Sequence, residues 1–151
     1  MPELNRAPEP MPPVPLYSLM GGKLGVPKIR SGEDLASLVE KRLPATVIKA
    51  LVRGGLSDGE AYQLIVPRRT LAHRIAKHQR LSRDESDKAV RVARITAMAE
   101  QVFGEPERAW RWLRKPKSRF DGKTPLETLA TEAGARLVEE MIMQIDHGIF
   151  A

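Results

Sequence analysis

Residues 57–77 read S-D-G-E-A-Y-Q-L-I-V-P-R-R-T-L-A-H-R-I-A-K. The stretch opens on Ser57-x-x-Glu60, a pairing in which hydroxyl and carboxylate each satisfy a backbone N–H left over at a helix start. Pro67 stands where a first-turn proline is tolerated, since its missing N–H would have no partner inside the helix. The spacing predicts a short helix over 58–64, a turn at Ile65-Val66 and a second helix over 68–79. In that second helix Leu71 and Ile75, with Ala72 and Ala76, are expected inward. Arg69, Thr70, His73, Arg74 and Lys77 then fall outward by 3.6-residue periodicity. Two short helices joined this tightly form a helix-turn-helix pattern.

The same punctuation recurs on both sides. Ser82-x-x-Glu85 and Thr124-x-x-Glu127 repeat the capping box. Pro44, Pro106 and Pro125 suit first turns, and Gly54 and Gly104 suit left-handed helix stops. Helices are therefore expected at 32–42, 45–53, 58–64, 68–79, 83–103, 106–114, 125–130 and 132–147. No convincing alternating strand pattern competes with them, so the fold class is all-α. The beginning differs: P-E-P-M-P-P-V-P and G-G-K-L-G lie between Met1 and Val26 and are expected to form an arm with no apolar periodicity to bury. The expected organisation is an arm at 1–30, a helix-turn-helix domain at 31–95 and a helical C-terminal domain at 96–151.

Composition removes several classes of function. With no cysteine in 151 residues, disulfides and thiolate chemistry are excluded. No apolar run approaches the ~20 residues of a membrane span, and no charged segment followed by an apolar stretch opens the chain. A cytoplasmic protein without a membrane partner is expected. Seven aromatic residues are too few for a single-strand stacking platform. His73, His78 and His147 share no face with a carboxylate cluster, so no metal is expected. G-G-K-L-G lacks phosphate-loop spacing. No nucleophile–base constellation is visible, so neither an enzyme nor a cofactor is expected.

Charge is unevenly spread. Net charge is +6, yet Val66–Ile95 holds nine Lys/Arg against three Asp/Glu, and Asp121–Ala151 holds two against six. A polyanion attracted by the first segment is repelled by the second, so two different partners are expected. Arg68, Arg69, Thr70, His73, Arg74 and Lys77 are the candidate DNA-binding residues, because arginine contacts guanine bidentately and its neighbours reach phosphates. A solvated basic face is the plain alternative. The five helices expected between Ser31 and Phe103 resemble the Cro/Xre-type DNA-binding domain, whose members usually bind as dimers.

Downstream, the long helix 83–103 is apolar over more than one stripe and is expected to pack on both halves. Trp110 and Leu113 are candidate core residues, while Trp112 lies opposite, where it could join an interface. The last helix is expected to bury Leu137, Met141 and Ile145, with Val138 and Ile142 beside them. Glu139, Glu140 and Asp146 lie toward the wetter side. Met141-Ile142-Met143 exceeds one core stripe, which leaves Met143 for a pliable protein contact.

F-G-E-P-E-R-A-W-R-W-L-R-K-P, then F-D-G-K-T-P-L-E-T-L-A-T-E-A-G-A-R-L-V-E-E and D-H-G-I-F-A, resemble the Xre/MbcA/ParS toxin-binding domain. L-S-R-D-E-S-D-K-A-V-R-V-A-R is similar to that family's linker helix. The resemblance implies the antitoxin of a type II toxin–antitoxin pair, with a cognate RES-domain toxin that depletes NAD+. It also implies that the antitoxin blocks that toxin's active site and represses its own promoter DNA, as a homodimer within a larger complex. Gly122, Thr124, Pro125 and Leu126 match the family's G-[RK]-T-P-L turn; Thr131, Glu132, Ala133 and Gly134 match its T-E-A-G helix start. Asp121 departs, where many relatives carry a second glycine. By position and composition, the toxin-binding candidates are Glu139, Glu140, Met143, Asp146, His147, Gly148, Ile149 and Phe150. A stand-alone transcription factor whose C-terminal block only dimerises is the competing expectation.

Overall fold

The structure, a computed structural model, describes residues 16–26 and 28–148. Its α-helices are α1 (Leu16–Leu24), α2 (Gly32–Lys41), α3 (Val47–Arg53), α4 (Asp58–Leu64), α5 (Arg68–Ala76), α6 (Arg83–Phe103), α7 (Pro106–Leu113), α8 (Pro125–Thr128) and α9 (Glu132–Asp146), with a 3-10 turn at Ser118–Phe120. No strand occurs among the described residues; one isolated antiparallel bridge joins Pro44 and Arg80.

The long helix α6 is the centre of the fold. Ala89, Ala93, Ala97 and Ala99 are wholly buried on it, with Val92 and Ile95 beside them. Alanine keeps this helix thin where α1, α2, α7 and α9 lie against it. Two of its buried polar side chains find partners in the backbone: the Thr96 hydroxyl donates to the Val92 carbonyl at 2.7 Å, and Ser86 Oγ accepts from the Leu43 amide at 2.9 Å. Burial without these partners would cost about 1–3 kcal/mol apiece.

The N-terminal region corrects the expectation that the whole of residues 1–26 has no apolar periodicity to bury. Leu16–Leu24 is a helix, and Leu16, Met20 and Leu24 fall at four-residue spacing; Met20 and Leu24 are buried. Gly21 and Gly22 hid this stripe, because each glycine disfavours a helix by about 1 kcal/mol. Tertiary packing outweighs that local preference. Gly21 also permits the chain to fold straight back, with the Val26 amide donating to its carbonyl at 2.9 Å, where a Cβ would meet Val26 O at 2.8 Å. Lys23 then pairs with Glu100 of α6 at 2.8 Å, both largely buried. The part of the expected arm at residues 1–15 lies outside the described residues.

Several boundaries also move. Helix α5 ends at Ala76, because His78 takes a left-handed φ of 53° and the Gln79 and His78 amides return to Arg74 and Ile75. That is a Schellman ending built without glycine, which is why it was not visible in the sequence. Gly54 is right-handed at φ −80° and Gly55 takes the positive φ instead, whereas Gly104 is left-handed at 78°. Pro44 sits in the bridge to Arg80 rather than in a first turn, and Pro67 is the N-cap of α5; Pro106 and Pro125 do open their helices. Ser57 and Ser82 form complete capping boxes. At Thr124 only half forms: its Oγ accepts from the Glu127 amide, but the Glu127 carboxylate meets the Thr124 hydroxyl rather than its backbone.

Candidate functional site

The helix-turn-helix is held from below. Ala61, Leu64, Ile65, Val66 and Leu71 are buried, so the turn between α4 and α5 is anchored by its own apolar residues. Arg68, Arg69 and His73 are exposed on α5, Lys77 is exposed as its C-cap, and Thr70 is half-buried. Ala72, Ala76 and Ile75 are exposed as well, Ile75 by 43%, which corrects the expected inward side to Leu71 alone. Arg69, Ala72, His73 and Ala76 consequently form the outermost line at i, i+3, i+4 and i+7. Two alanines in that line leave little bulk between α5 and anything laid against it.

Arg74 is placed differently from its neighbours. Its guanidinium donates to both carboxylate oxygens of Glu85 on α6, at 2.9 and 3.1 Å. Burial works against the Glu85 carboxylate, but the Arg74 fork and the Ser82 amide outweigh it and hold its pKa below the ordinary glutamate value. Since the same carboxylate caps α6 by accepting from the Ser82 amide at 2.8 Å, Arg74 ties α5 to the start of α6. Among the described residues no acidic side chain lies in the first turn of α5, and no side chain caps it.

A second tie joins α4 to the C-terminal block. Arg114 donates to Glu60 at 2.7 and 3.0 Å and to the Gly55 carbonyl at 2.8 Å. Its guanidinium also lies 4.7 Å from the ring centre of Trp110. Trp110 and Leu113 are buried, as their spacing indicates. A Cβ on Gly55 would collide with the Trp110 indole, so a glycine is needed where the block closes over α4. Burial again opposes the Glu60 charge, and Arg114 with the Ser57 amide outweighs it and lowers the pKa.

The last helix begins where the sequence places it. Thr131 Oγ accepts from the Gly134 amide at 3.0 Å, and Arg91 and Arg94 of α6 reach Glu132 at 3.0 and 3.2 Å. Gly134 is buried against α8, and a Cβ there would strike the Thr128 carbonyl. Asp121 and Gly122 are both left-handed, at φ 55° and 82°, which gives the physical reason that glycine suits position 121. The buried stripe of α9 is Gly134, Ala135, Val138 and Ile142. Met141 and Ile145 are half-buried, and Leu137 is 52% exposed, against the expectation of burial.

On the outward side Glu140, Asp146, His147 and Gly148 are exposed, Glu139 is half-buried and Met143 is 47% exposed. Ile149 and Phe150 lie outside the described residues. Leu137 is thus an exposed apolar residue that periodicity missed, because it lies at the edge of the buried arc. Also missed is the basic stretch just upstream: residues 108–120 hold six Lys/Arg and no Asp or Glu. The acidic block is counted only from Asp121, so this stretch fell between the two charge windows.

A basic helix-turn-helix and a helical C-terminal block, both packed on α6, define a two-part binding protein. Comparison with known proteins gives the same division. Residues 34–94 match the antitoxin Xre-like helix-turn-helix domain, and residues 98–148 match the antitoxin Xre/MbcA/ParS C-terminal toxin-binding domain. The chain is 46% identical over 126 residues to an antitoxin Xre of Pseudomonas putida, covering 83% of this chain and 79% of that one. It is 27% identical over 122 residues to an antitoxin Xre of Photorhabdus laumondii, covering 79% and 82% respectively. A third antitoxin Xre, from Yersinia enterocolitica, is 30% identical over 87 residues, or 57% of this chain and 59% of that one. The chain belongs to the Xre antitoxin family. Among the described residues no helix is long and apolar enough to cross a membrane.

Proposed function

We propose that this protein is the cytoplasmic antitoxin of a type II pair, neutralising a RES-domain toxin that depletes NAD+ and repressing its own promoter as a homodimer. The observation that carries the reading is the pairing on one helix of an outward basic α5 with a block of the toxin-binding family. Arg68, Arg69, Thr70, His73 and Lys77 approach DNA, with Arg69 and His73 nearest base edges. The uncapped start of α5 offers its amides to a phosphate. Arg74 orients the helix through Glu85 instead of reading bases.

On the toxin side, Glu139, Glu140, Met143, Asp146, His147 and Gly148, with Ile149 and Phe150, occupy the mouth of the NAD+ cleft. A cleft shaped for a phosphate-bearing dinucleotide is basic, which complements the three carboxylates. The test is co-expression with the RES toxin while cellular NAD+ is measured. Glu139→Gln, Glu140→Gln and Asp146→Asn together should weaken protection and flatten its salt dependence; unchanged protection and salt dependence would refute the electrostatic part.

Exposed Leu137 and Met143 favour one competing reading, in which the block serves only to dimerise a stand-alone transcription factor. That reading expects operator binding with no effect on the toxin. Arg69→Ala should abolish promoter binding while leaving toxin protection intact.

A further inference from the structure

Between the end of α7 and the outer flank of α9 lies a groove of about 510 Å³. Its floor is Trp112, Met141 and Ile145, and its rim is Lys115, Lys117 and Arg119. The floor is fixed from behind, with the Trp112 ring 5.5 Å from that of Phe103. Arg119 donates to Gln144 of α9 at 3.0 Å, which ties the rim to the helix. Lys117 stands 5.2 Å from the centre of the Trp112 ring. Burial, and then the neighbouring Lys115, push the Lys117 pKa down. Among the described residues neither Lys115 nor Lys117 takes part in an ion pair. Two crowded ammonium groups beside an apolar trough are best relieved by a carboxylate from outside.

We propose that this groove receives an apolar side chain from an acidic segment of the toxin, so that the antitoxin grips its partner through both signs of charge. The inference rests on the reading that the C-terminal block holds a toxin. It adds a second contact of opposite charge to the acidic flank of α9. Complementary charge brings the segment in, and the trough of Trp112, Met141 and Ile145 holds its apolar residue. A nucleic-acid phosphate would answer the same lysines. The floor favours protein, because it offers one aromatic ring and two aliphatic side chains where a base-stacking surface needs several rings.

The full chain, wild type and Lys115→Glu/Lys117→Glu, would be titrated with the purified RES-domain toxin proposed as its partner. Operator DNA would be titrated in parallel, at low and high salt, with thermal melting as the check on folding. The double reversal should bind toxin about tenfold more weakly or worse at low salt, with the gap narrowing at high salt, and should bind DNA as the wild type does. Undiminished toxin affinity in the folded variant overturns the proposal. So does lost DNA affinity with toxin affinity intact, which assigns the lysines to phosphate. Should the double reversal not fold, Lys117→Ala is read in its place; it should weaken toxin binding about threefold or more at an unchanged melting temperature, and equal affinity overturns the groove. A wild-type chain that does not bind the toxin overturns both readings. A groove variant that binds normally overturns this one and leaves the other standing.

Discussion

Met20→Ala tests whether α1 belongs to the folded core. Met20 is wholly buried on α1, the helix that packs against α6 and α3, with Leu24 one turn further on. Truncating a buried methionine to alanine costs about 2–5 kcal/mol, the transfer of the lost atoms plus the void they leave. Glycines at 21 and 22 make α1 weak by itself, so the helix has little intrinsic stability with which to absorb the loss. A value near ~3 kcal/mol is a large share of the ~5–15 kcal/mol that a domain possesses. For a chain of this length it corresponds to a fall of about 6–12 °C in melting temperature, at ~2–4 °C per kcal/mol. Urea unfolding followed by circular dichroism measures it, with the exposed Ser18→Ala as the control. The midpoint should fall at an unchanged slope if the whole structure still unfolds together. A loss under about 0.5 kcal/mol, the size of an ordinary surface substitution, would mean that α1 is not packed as described.

Further outcomes follow from the ties around α6. Glu85→Gln keeps a residue able to cap Ser82 but loses the charge facing Arg74, so it isolates the ion pair. With both partners mostly buried, at 20% and 12% exposure, the loss should be about 1–3 kcal/mol by urea unfolding, between the surface and fully buried cases, and operator binding should weaken. Gly134→Ala drives a methyl group into the Thr128 carbonyl and should cost about 1–3 kcal/mol or more, with toxin affinity falling as α9 shifts. Glu60, Glu85 and Glu132 all have folded pKa values below the ordinary one. Their stabilisation is therefore complete above the unfolded value of about 4.3 and is lost as pH falls through the folded values. Melting temperature against pH should decline on the acid side of that value, and the decline should be shallower in Glu85→Gln.

Helix starts were legible in the sequence because their chemistry is local: Ser57, Ser82 and Thr131 each needed only a neighbour three residues on. Helix α1 was not, because its reason for being helical is α6, some seventy residues away. The end of α5 was hidden in the same way, by a histidine doing what glycine usually does. On the candidate surfaces, 3.6-residue spacing identified Arg69 and His73 as outward. It could not show that Arg74 reaches Glu85, since that pair depends on the angle between α5 and α6. The same spacing put Leu137 inside, because Leu137, Val138, Met141, Ile142 and Ile145 on α9 compete for a stripe that Gly134 sets by bringing α8 close. The groove beside Trp112 arises only once residues 115–119 fold against α9, so no single stretch of sequence contains it.

The two family matches end at residue 94 and begin at residue 98, and no loop separates them. Ile95, Thr96 and Ala97 lie in the middle of α6 and are buried almost completely. The boundary between the two matched domains thus falls inside a continuous, buried helix. A cut placed there would split a helix and strip the Trp110 cover from Gly55 and α4 together. Neither half is a fair stand-alone reagent for its own ligand. Exchanging one half for that of another protein would require the two sequences to agree on this shared helix.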